Sequence, residues 1–594
     1  MIFNNTIYAN FDWGIEIGSE NAASPGATVV NNIVWRNGNG FKGIGVLNEA
    51  SGTTPIRPPS VCGYVAGFNV VLDALPDDTP VNAYHFAFDP MFVNPPGTDG
   101  VLGGQRMQGQ FVDQSADDDF RLLQPSVSQA VDAGSATVAD IGLTGSTASD
   151  GHADQGTVDI GFHYGASSTQ MLTLPPPFMP LYVRKSGNDD LGGRTPNTPL
   201  GTIAAAGLRA EGGITVVVGA GTYNECDIFS PGNRGKAAFL ADPSGVMTHD
   251  KPGVVLVDAT RCHLDDVNQV PVQGDTGFDL SNTCDAVIDG FHVTGTKEDG
   301  IRVDGHSDRA SIRNNVVFGT SADVHPQRGV HVINSAKVEV RNNLIFGTTG
   351  GIQLGGKIDG LDDASTAGSR DAVVEFNTVF RSDFNGIQVG DGEGVSSGAT
   401  VRYNVTGENK KDGIEVGNDV HRLDNLVGYD SAYNLVGDRY AAGIPRGDGD
   451  LEFNLANEPL YVDPTVIDVS GDWLRDQHWR LVQTAAGQSM QSEAVDFSDI
   501  TAEDAGMADR STRTDGMPDT GLVDRGYHYP YRGHEALTGD CNGDGTVAIN
   551  ELVTAVNIGL GNLPMSACPA VDADGNGVPE INELVQAVNN AVQG

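Results

Sequence analysis

The chain has 594 residues, with 78 acidic and 35 basic side chains and a net charge of −43 at pH 7. That length exceeds one ordinary hydrophobic core and predicts several domains. The charge argues against a nucleic-acid partner, which needs a basic patch, and no run of about 18 apolar residues is present to span a membrane.

Residues 1–165 read as a unit of short strands. Trp13-Gly-Ile-Glu-Ile and Lys42-Gly-Ile-Gly-Val alternate with period two, as half-buried strands do. Asn4-Asn5-Thr-Ile and Asn31-Asn32-Ile-Val supply Asn at the bends. Met1 falls directly into such a strand, without the basic start and apolar run of a secretion signal. The expectation is that earlier coils and a signal peptide precede this start. Residues 166–180 follow, with Pro175, Pro176, Pro177 and Pro180, and read as a stiff spacer.

A second unit spans 181–530. Its opening runs from Tyr182-Val-Arg-Lys-Ser through Thr202-Ile-Ala-Ala-Ala to Ile214-Thr-Val-Val-Val, and a helical turn around Ile203–Leu208 is expected to cap the open end. Five segments then repeat one pattern: Asp299-Gly-Ile-Arg-Val, Arg328-Gly-Val-His-Val, Gly350-Gly-Ile-Gln-Leu, Asn385-Gly-Ile-Gln-Val and Asp412-Gly-Ile-Glu-Val. Spacings of this size fit one coil of a solenoid with variable loops. One coil cannot bury its apolar face alone, so coils stack, with Ile301, Val330, Ile352, Ile387 and Ile414 in one inward column. Asn residues at the bends can then bond from coil to coil. A β-sandwich of hairpins is the alternative, but hairpin turns do not demand Asn at a fixed offset.

The exits of the two units correspond. Pro90-Met-Phe-Val-Asn-Pro parallels Pro459-Leu-Tyr-Val-Asp-Pro, Arg121-Leu-Leu-Gln parallels Arg480-Leu-Val-Gln, and Ala130-Val-Asp parallels Ala494-Val-Asp. Asp159-Ile-Gly-Phe-His-Tyr parallels Asp524-Arg-Gly-Tyr-His-Tyr. Four landmarks in one order imply duplication. The repeats resemble the right-handed parallel β-helix, pectate-lyase-like family over most of 1–165 and 181–530, and the lead-in after residue 181 is similar to that of bacterial β-helix proteins. The expected fold class is therefore an all-β solenoid of two tandem β-helix units, with a small α-helical calcium domain at 531–594.

The outward residues of the repeated strands are Arg302, His331, Gln353, Gln388 and Glu415, with Asp304 at the same edge. A shelf of polar groups suits the many hydroxyls of an extended polysaccharide, and these six are the candidate substrate-binding residues. His306, Asp308, Lys357, Asp391 and Asp419 lie nearby in sequence. Lyases of the β-helix family use an acid cluster and a basic proton acceptor, of which Asp304, Arg302 and His331 form a thin version. Hydrolases need paired carboxylates, and Asp304 and Glu415 stand about four coils, or roughly 19 Å, apart. An outward solenoid face is also polar simply because it meets water, so no catalytic residue is assigned.

Two calcium-loop patterns close the chain. Asp540, Asn542, Asp544, Gly545 and Glu551 match the D-x-[DN]-x-[DN]-G-x5-E template, and so do Asp572, Asp574, Asn576, Gly577 and Glu583. A hard cation takes six to eight oxygens from such a loop. The Thr546 and Val578 carbonyls complete the expected sets, with water opposite Ala548 and Glu580 direct or through water. Two calcium ions are therefore expected. Each loop leads into an amphipathic helix, and the stripes 549, 552, 553, 556, 560 and 581, 584, 585, 588, 592 are expected to pack together. Cys541 lies inside the first calcium loop and Cys568 just before the second. A bond between them would stabilise it by roughly 3–4 kcal/mol and imply an oxidising compartment; two free thiols are the alternative. Loop then helix, twice, resembles a type I dockerin, a family that binds cohesin receptors. Ile549-Asn550 and Ile581-Asn582 replace the usual Ser/Thr pair, and Glu replaces the usual last Asp, which argues against a cohesin-like receptor.

The resulting expectation is a secreted or cell-surface modular protein. Its β-helix presents an extended face to a polysaccharide or cell-surface glycan, and its calcium module tethers it. The alternatives are a lyase or glycosidase acting on an acidic polysaccharide, and a non-catalytic adhesion solenoid.

Overall fold

The structure is a computed structural model. It describes residues 1–594 except 19–23, 25, 39–42, 47–63, 74–84, 108–109, 125–127, 136, 166–179, 211–212, 231–236, 243–253, 265–270, 273, 282, 320–324, 356–367, 392–393, 418–421, 453–460, 462–478, 514–516, 531–537, 540, 542–546, 548, 561, 564–567, 569–570, 572–580 and 594. The Pro-rich spacer thus lies outside the described residues apart from Pro180. Lys357 and Asp419 lie outside them too.

Residues 181–452 wind into three parallel sheets. One runs from Leu181–Val183 to Asp430–Ala432 and a second from Gly221–Tyr223 to Leu451–Glu452. The third contains Ile228–Ser230, Phe278–Ser281, Asp299–Asp304, Arg328–Val332, Gly350–Leu354, Ile387–Val389 and Ile414–Val416. Ile301, Val330, Ile352, Ile387 and Ile414 pair in strict register and are at most 1 % exposed. They form the expected dry column. The helix Ile203–Gly207, N-capped by the Thr202 side chain, inserts Ile203 and Ala206 among Leu181 and Val216 and closes one end.

The Gly before each inward residue has a steric cause. A Cβ on Gly351 would collide with the Gly386 carbonyl and Val379, and one on Gly300 with Val317. The coils approach too closely at this corner for any side chain. The Asn bends have two causes. Asn315, Asn343, Asn377, Asn404 and Asn434 stack, each Nδ2 donating to the next Oδ1 at 3.0–3.1 Å. Asp450, which only accepts, ends the ladder. The residue before each ladder Asn turns the chain with positive φ, as at Asn314, Asn342, Phe376 and Tyr403. Asn tolerates that conformation, whereas aromatics are strained in it. Phe376, Tyr403 and Tyr433 stack ring on ring there, which offsets part of the strain.

Residues 1–86 repeat the arrangement with shorter parallel sheets. Ile15–Ile17 pairs with Ile44–Val46, and Asn5, Asn32 and Asn69 form a ladder at 3.0 Å. The exit segments share one bonding pattern. Arg121 lies over the Tyr164 ring and Arg480 over Tyr529. Gln124 donates to Asp159 and Gln483 to Asp524, at 2.9 and 3.0 Å. His163 contacts Asp154 and His528 contacts Asp519, at 2.8 and 3.0 Å.

The second exit segment packs Leu481, Tyr527 and Tyr529 against the outward Phe318, Phe346 and Phe380 of the second sheet. One outer face is therefore an apolar interface inside the chain. The outward residues of the third sheet are polar instead, and this contrast locates the site.

Cys541 is bonded to Cys568, and Cys226 to Cys262. The second bond has no signature in the cysteine spacing. Gly274 lies so close to both its sulfurs that a Cβ would collide with them. The helices Ile549–Gly559 and Ile581–Gln593 pack through Ala555, Ile558, Leu584, Cys568 and Val571. The expected stripe is corrected here: Ile549, Val553, Val556 and Leu560 face solvent, as do Ile581, Val585 and Val588. Both faces of each helix are apolar, and the face beside the disulfide packs inward. Glu551 and Glu583 are buried, and Glu551 accepts from the Cys541 N–H at 2.9 Å. The remaining expected calcium ligands, Asp540, Asn542, Asp544, Thr546, Asp572, Asp574, Asn576, Val578 and Glu580, lie outside the described residues. Among the described residues no helix is long and apolar enough to cross a membrane.

Candidate functional site

The outward residues of the third sheet stand in single file. Asp279 pairs with Arg302, Arg302 with His331, His331 with Gln353, Gln353 with Gln388, and Gln388 with Glu415. Asp304 projects from the same strand as Arg302, opposite Ser281. All six expected residues thus share one sheet, and Asp279 extends the file by one coil.

One end of the file is acidic. Arg302 donates through Nε to Asp304 Oδ2 at 3.0 Å. Among the described residues, Asp279 Oδ1 and Asp304 Oδ1 are buried without a hydrogen-bond partner. Burial, then the neighbouring Asp304 charge, pushes the Asp279 carboxyl up to about 6, with Arg302 opposing. A carboxyl in that range can hold or release a proton near neutral pH.

The middle is a bonded relay. His331 Nδ1 meets Asp299 Oδ2 at 3.1 Å and its Nε2 meets the Gly355 carbonyl at 3.2 Å. Arg328 spans Asp299 Oδ1 at 3.2 Å and Gln353 Oε1 at 2.8 Å, and Gln353 donates to Asp391 at 3.0 Å. Burial pushes Asp299 up, but His331 and Arg328 more than offset this and hold it below the usual carboxylate range. The expectation of an outward His331 is corrected. It is 5 % exposed, because the Gly355 backbone one coil on closes over it, and both ring nitrogens are engaged. It positions Asp299 and has no nitrogen left for a ligand. Asp304 is buried likewise. Asp308 is also buried and accepts from the Ala336 N–H at 2.7 Å, away from the file.

The other end is a cleft of about 130 Å³ lined by Arg328, Gln353, Phe384, Asn385 and Gln388. Asn385 Nδ2 donates to Gln388 Oε1 at 3.3 Å and to Glu415. Lys411 Nζ lies 3.3 Å from Glu415 and 4.1 Å from the Phe384 ring centroid. Phe384 itself is 45 % exposed. A half-exposed ring among fixed amides offers an apolar plate beside donors and acceptors.

The repeat pattern held two signals for what it left out. Gly277-Phe-Asp-Leu carries the same Gly-apolar-polar-apolar order one coil earlier, with Asp279 in the outward place. The residue before each motif Gly, as at Asp299, Arg328 and Asn385, borders the face. Phe384 precedes a motif Gly by two residues and has no periodic signal.

A family model for a right handed beta helix region matches residues 210–362. The solenoid is a right-handed β-helix. No curated protein matches the chain in sequence. Among solved structures, the chain is similar to the pectate lyase Pel9A at 15 % identity, with 58 % of this chain and 96 % of that one covered and a TM-score of 0.31. It is similar to the GH136 lacto-N-biosidase from Eubacterium ramulus at 13 % identity, covering 46 % and 55 %, with a TM-score of 0.30. A rhamnogalacturonan lyase gives 13 % identity, 51 % and 97 % coverage and a TM-score of 0.26. Likenesses of this size bear on neither substrate nor chemistry, so the β-helix is read from its own face.

Proposed function

We propose that the β-helix binds a polysaccharide or cell-surface glycan along the polar face of its third sheet. The exposed Phe384 ring beside the register pair Gln353–Gln388 carries this reading. A pyranose ring has an apolar C–H face and an equatorial belt of hydroxyls. An aromatic plate with flanking amides matches both. A glycan array probed with the intact chain tests it; silence across neutral and acidic glycans alike would sink it.

The whole protein is, in this reading, a secreted or cell-surface molecule. It comprises two tandem β-helix units and a C-terminal calcium module that tethers it. The shared exit bonding supports the duplication. Two buried carboxylates, Glu551 and Glu583, lie in a segment, 538–594, without Lys, Arg or His. Buried carboxylates need a counter-charge, and the donor set there is all oxygen, which fits calcium. Glu551 and Glu583 would each close one loop on one ion. The Cys541–Cys568 bond suits an oxidising, extracellular setting.

A second reading, glycoside cleavage, rests on Asp279. Strand spacing and rise put the Asp279 and Asp304 Cα atoms roughly 8 Å apart, within reach of the carboxylate separations used for glycosidic bonds. Asp279, with its carboxyl near 6, would be the acid. Release of reducing ends by the intact chain, lost in Asp279→Asn, would support it.

A further inference from the structure

We infer that this face is built for an uncharged sugar chain rather than a polyuronate, with one ring against Phe384. The inference rests on the carbohydrate reading above and narrows it.

A uronate carries one carboxylate per residue and, where side chains alone hold it, needs cations whose charge is not already engaged. Among the described residues, the cations bordering the face are engaged. Arg302 is bonded to Asp304 at 3.0 Å, Arg328 to Asp299 at 3.2 Å, Lys411 to Glu415 at 3.3 Å, and Arg439 to Asp412. His331 is held between Asp299 and the Gly355 carbonyl. With Asp279 and Asp391 added, six carboxylates (Asp279, Asp299, Asp304, Asp391, Asp412, Glu415) face four cations (Arg302, Arg328, Lys411, Arg439). A polyanion laid along this file meets a net surplus of two like charges, and specificity against it follows from repulsion. Drawing Arg328 to a uronate would also strip Asp299 and Gln353 of a partner each.

An uncharged sugar meets none of these costs. The amides of Gln353, Gln388 and Asn385 carry no charge and can serve hydroxyls as donors and acceptors. The Phe384 ring takes the apolar C–H face. Lys411 already lies against that ring, and its ion pair with Glu415 ties the lysine charge to a carboxylate of the protein.

Affinity electrophoresis of the intact chain tests this, with xylan, galactan and mixed-linkage β-glucan as neutral probes and polygalacturonate and alginate as acidic ones. The expected result is retardation by at least one neutral probe and by neither acidic one. Phe384→Ala, a change at a half-exposed side chain, should weaken that retardation by roughly tenfold or more, and Gln388→Ala should weaken it too. Retardation by a polyuronate that Phe384→Ala abolishes would overturn the inference and leave carbohydrate binding standing. Neutral binding that neither variant weakens would overturn the assignment of the cleft. No retardation by any probe would overturn the carbohydrate reading itself.

Discussion

Asp279 and Arg302 are register neighbours on adjacent strands, yet Arg302 gives its Nε to Asp304, and Asp279 Oδ1 stays buried without a partner among the described residues. Asp279 is therefore a carboxyl that the fold prefers protonated. Its folded pKa, about 6, lies above its ordinary 3.8. Well below pH 4 it is protonated in both states and adds nothing. Between about pH 4 and 6 the unfolded chain ionises while the folded one resists, so stability is lost there, and above 6 both are ionised and no more is lost. Asp279→Asn removes that loss. The variant should be more stable than the parent at pH 8, by on the order of 2–3 kcal/mol, and equal to it near pH 3, below the ordinary carboxylate value. Thermal melts at the two pH values check this; equal stability at pH 8 would contradict it.

Asn404 is fully buried, donates to Asn434 and accepts from Asn377. Asn404→Ala leaves polar groups on both neighbouring coils unsatisfied. The expected cost is about 2–3 kcal/mol, seen as a lower unfolding temperature. A neutral result would show that the ladder contributes no stability.

Gly350 and Gly351 are adjacent and make opposite predictions. A Cβ at Gly350 meets nothing nearer than 3.6 Å, while one at Gly351 collides with the Gly386 carbonyl. Gly350→Ala should be nearly silent. Gly351→Ala should cost about 3 kcal/mol or more, or abolish soluble expression. Comparable melting temperatures for the two would contradict the close-approach account.

In the proposed calcium module, removal of calcium should unfold the helices Ile549–Gly559 and Ile581–Gln593 first, because the buried Glu551 and Glu583 would lose their counter-charge. Circular dichroism of the intact chain with and without a chelator reads this as lost helical signal. Identical spectra would contradict the calcium module.

The aliphatic column and the Asn ladder were legible because both repeat: Ile301 to Ile414 at a fixed place after Gly, and Asn at a fixed bend. Stacking makes one coil's chemistry the next coil's. What escaped notice depends on single contacts. His331 is buried by Gly355, 24 residues away. Arg328 is aimed by Asp299 and Gln353 on different coils. The helix stripes misled because Ala555 and Ile558 offered a second apolar face beside a disulfide. Cys226 and Cys262 pair across 36 residues with no motif at either end.

Glycan contact at the Phe384 cleft is the central claim, and hydroxyl-radical footprinting reads it at the residue. Phe384 is half-exposed, and Phe11 and Leu423, exposed at 103 % and 81 %, serve as references outside the cleft. With a retained polysaccharide present, oxidation of Phe384 should fall while Phe11 and Leu423 oxidise as before. Unchanged oxidation of Phe384 under saturating polysaccharide would contradict the account.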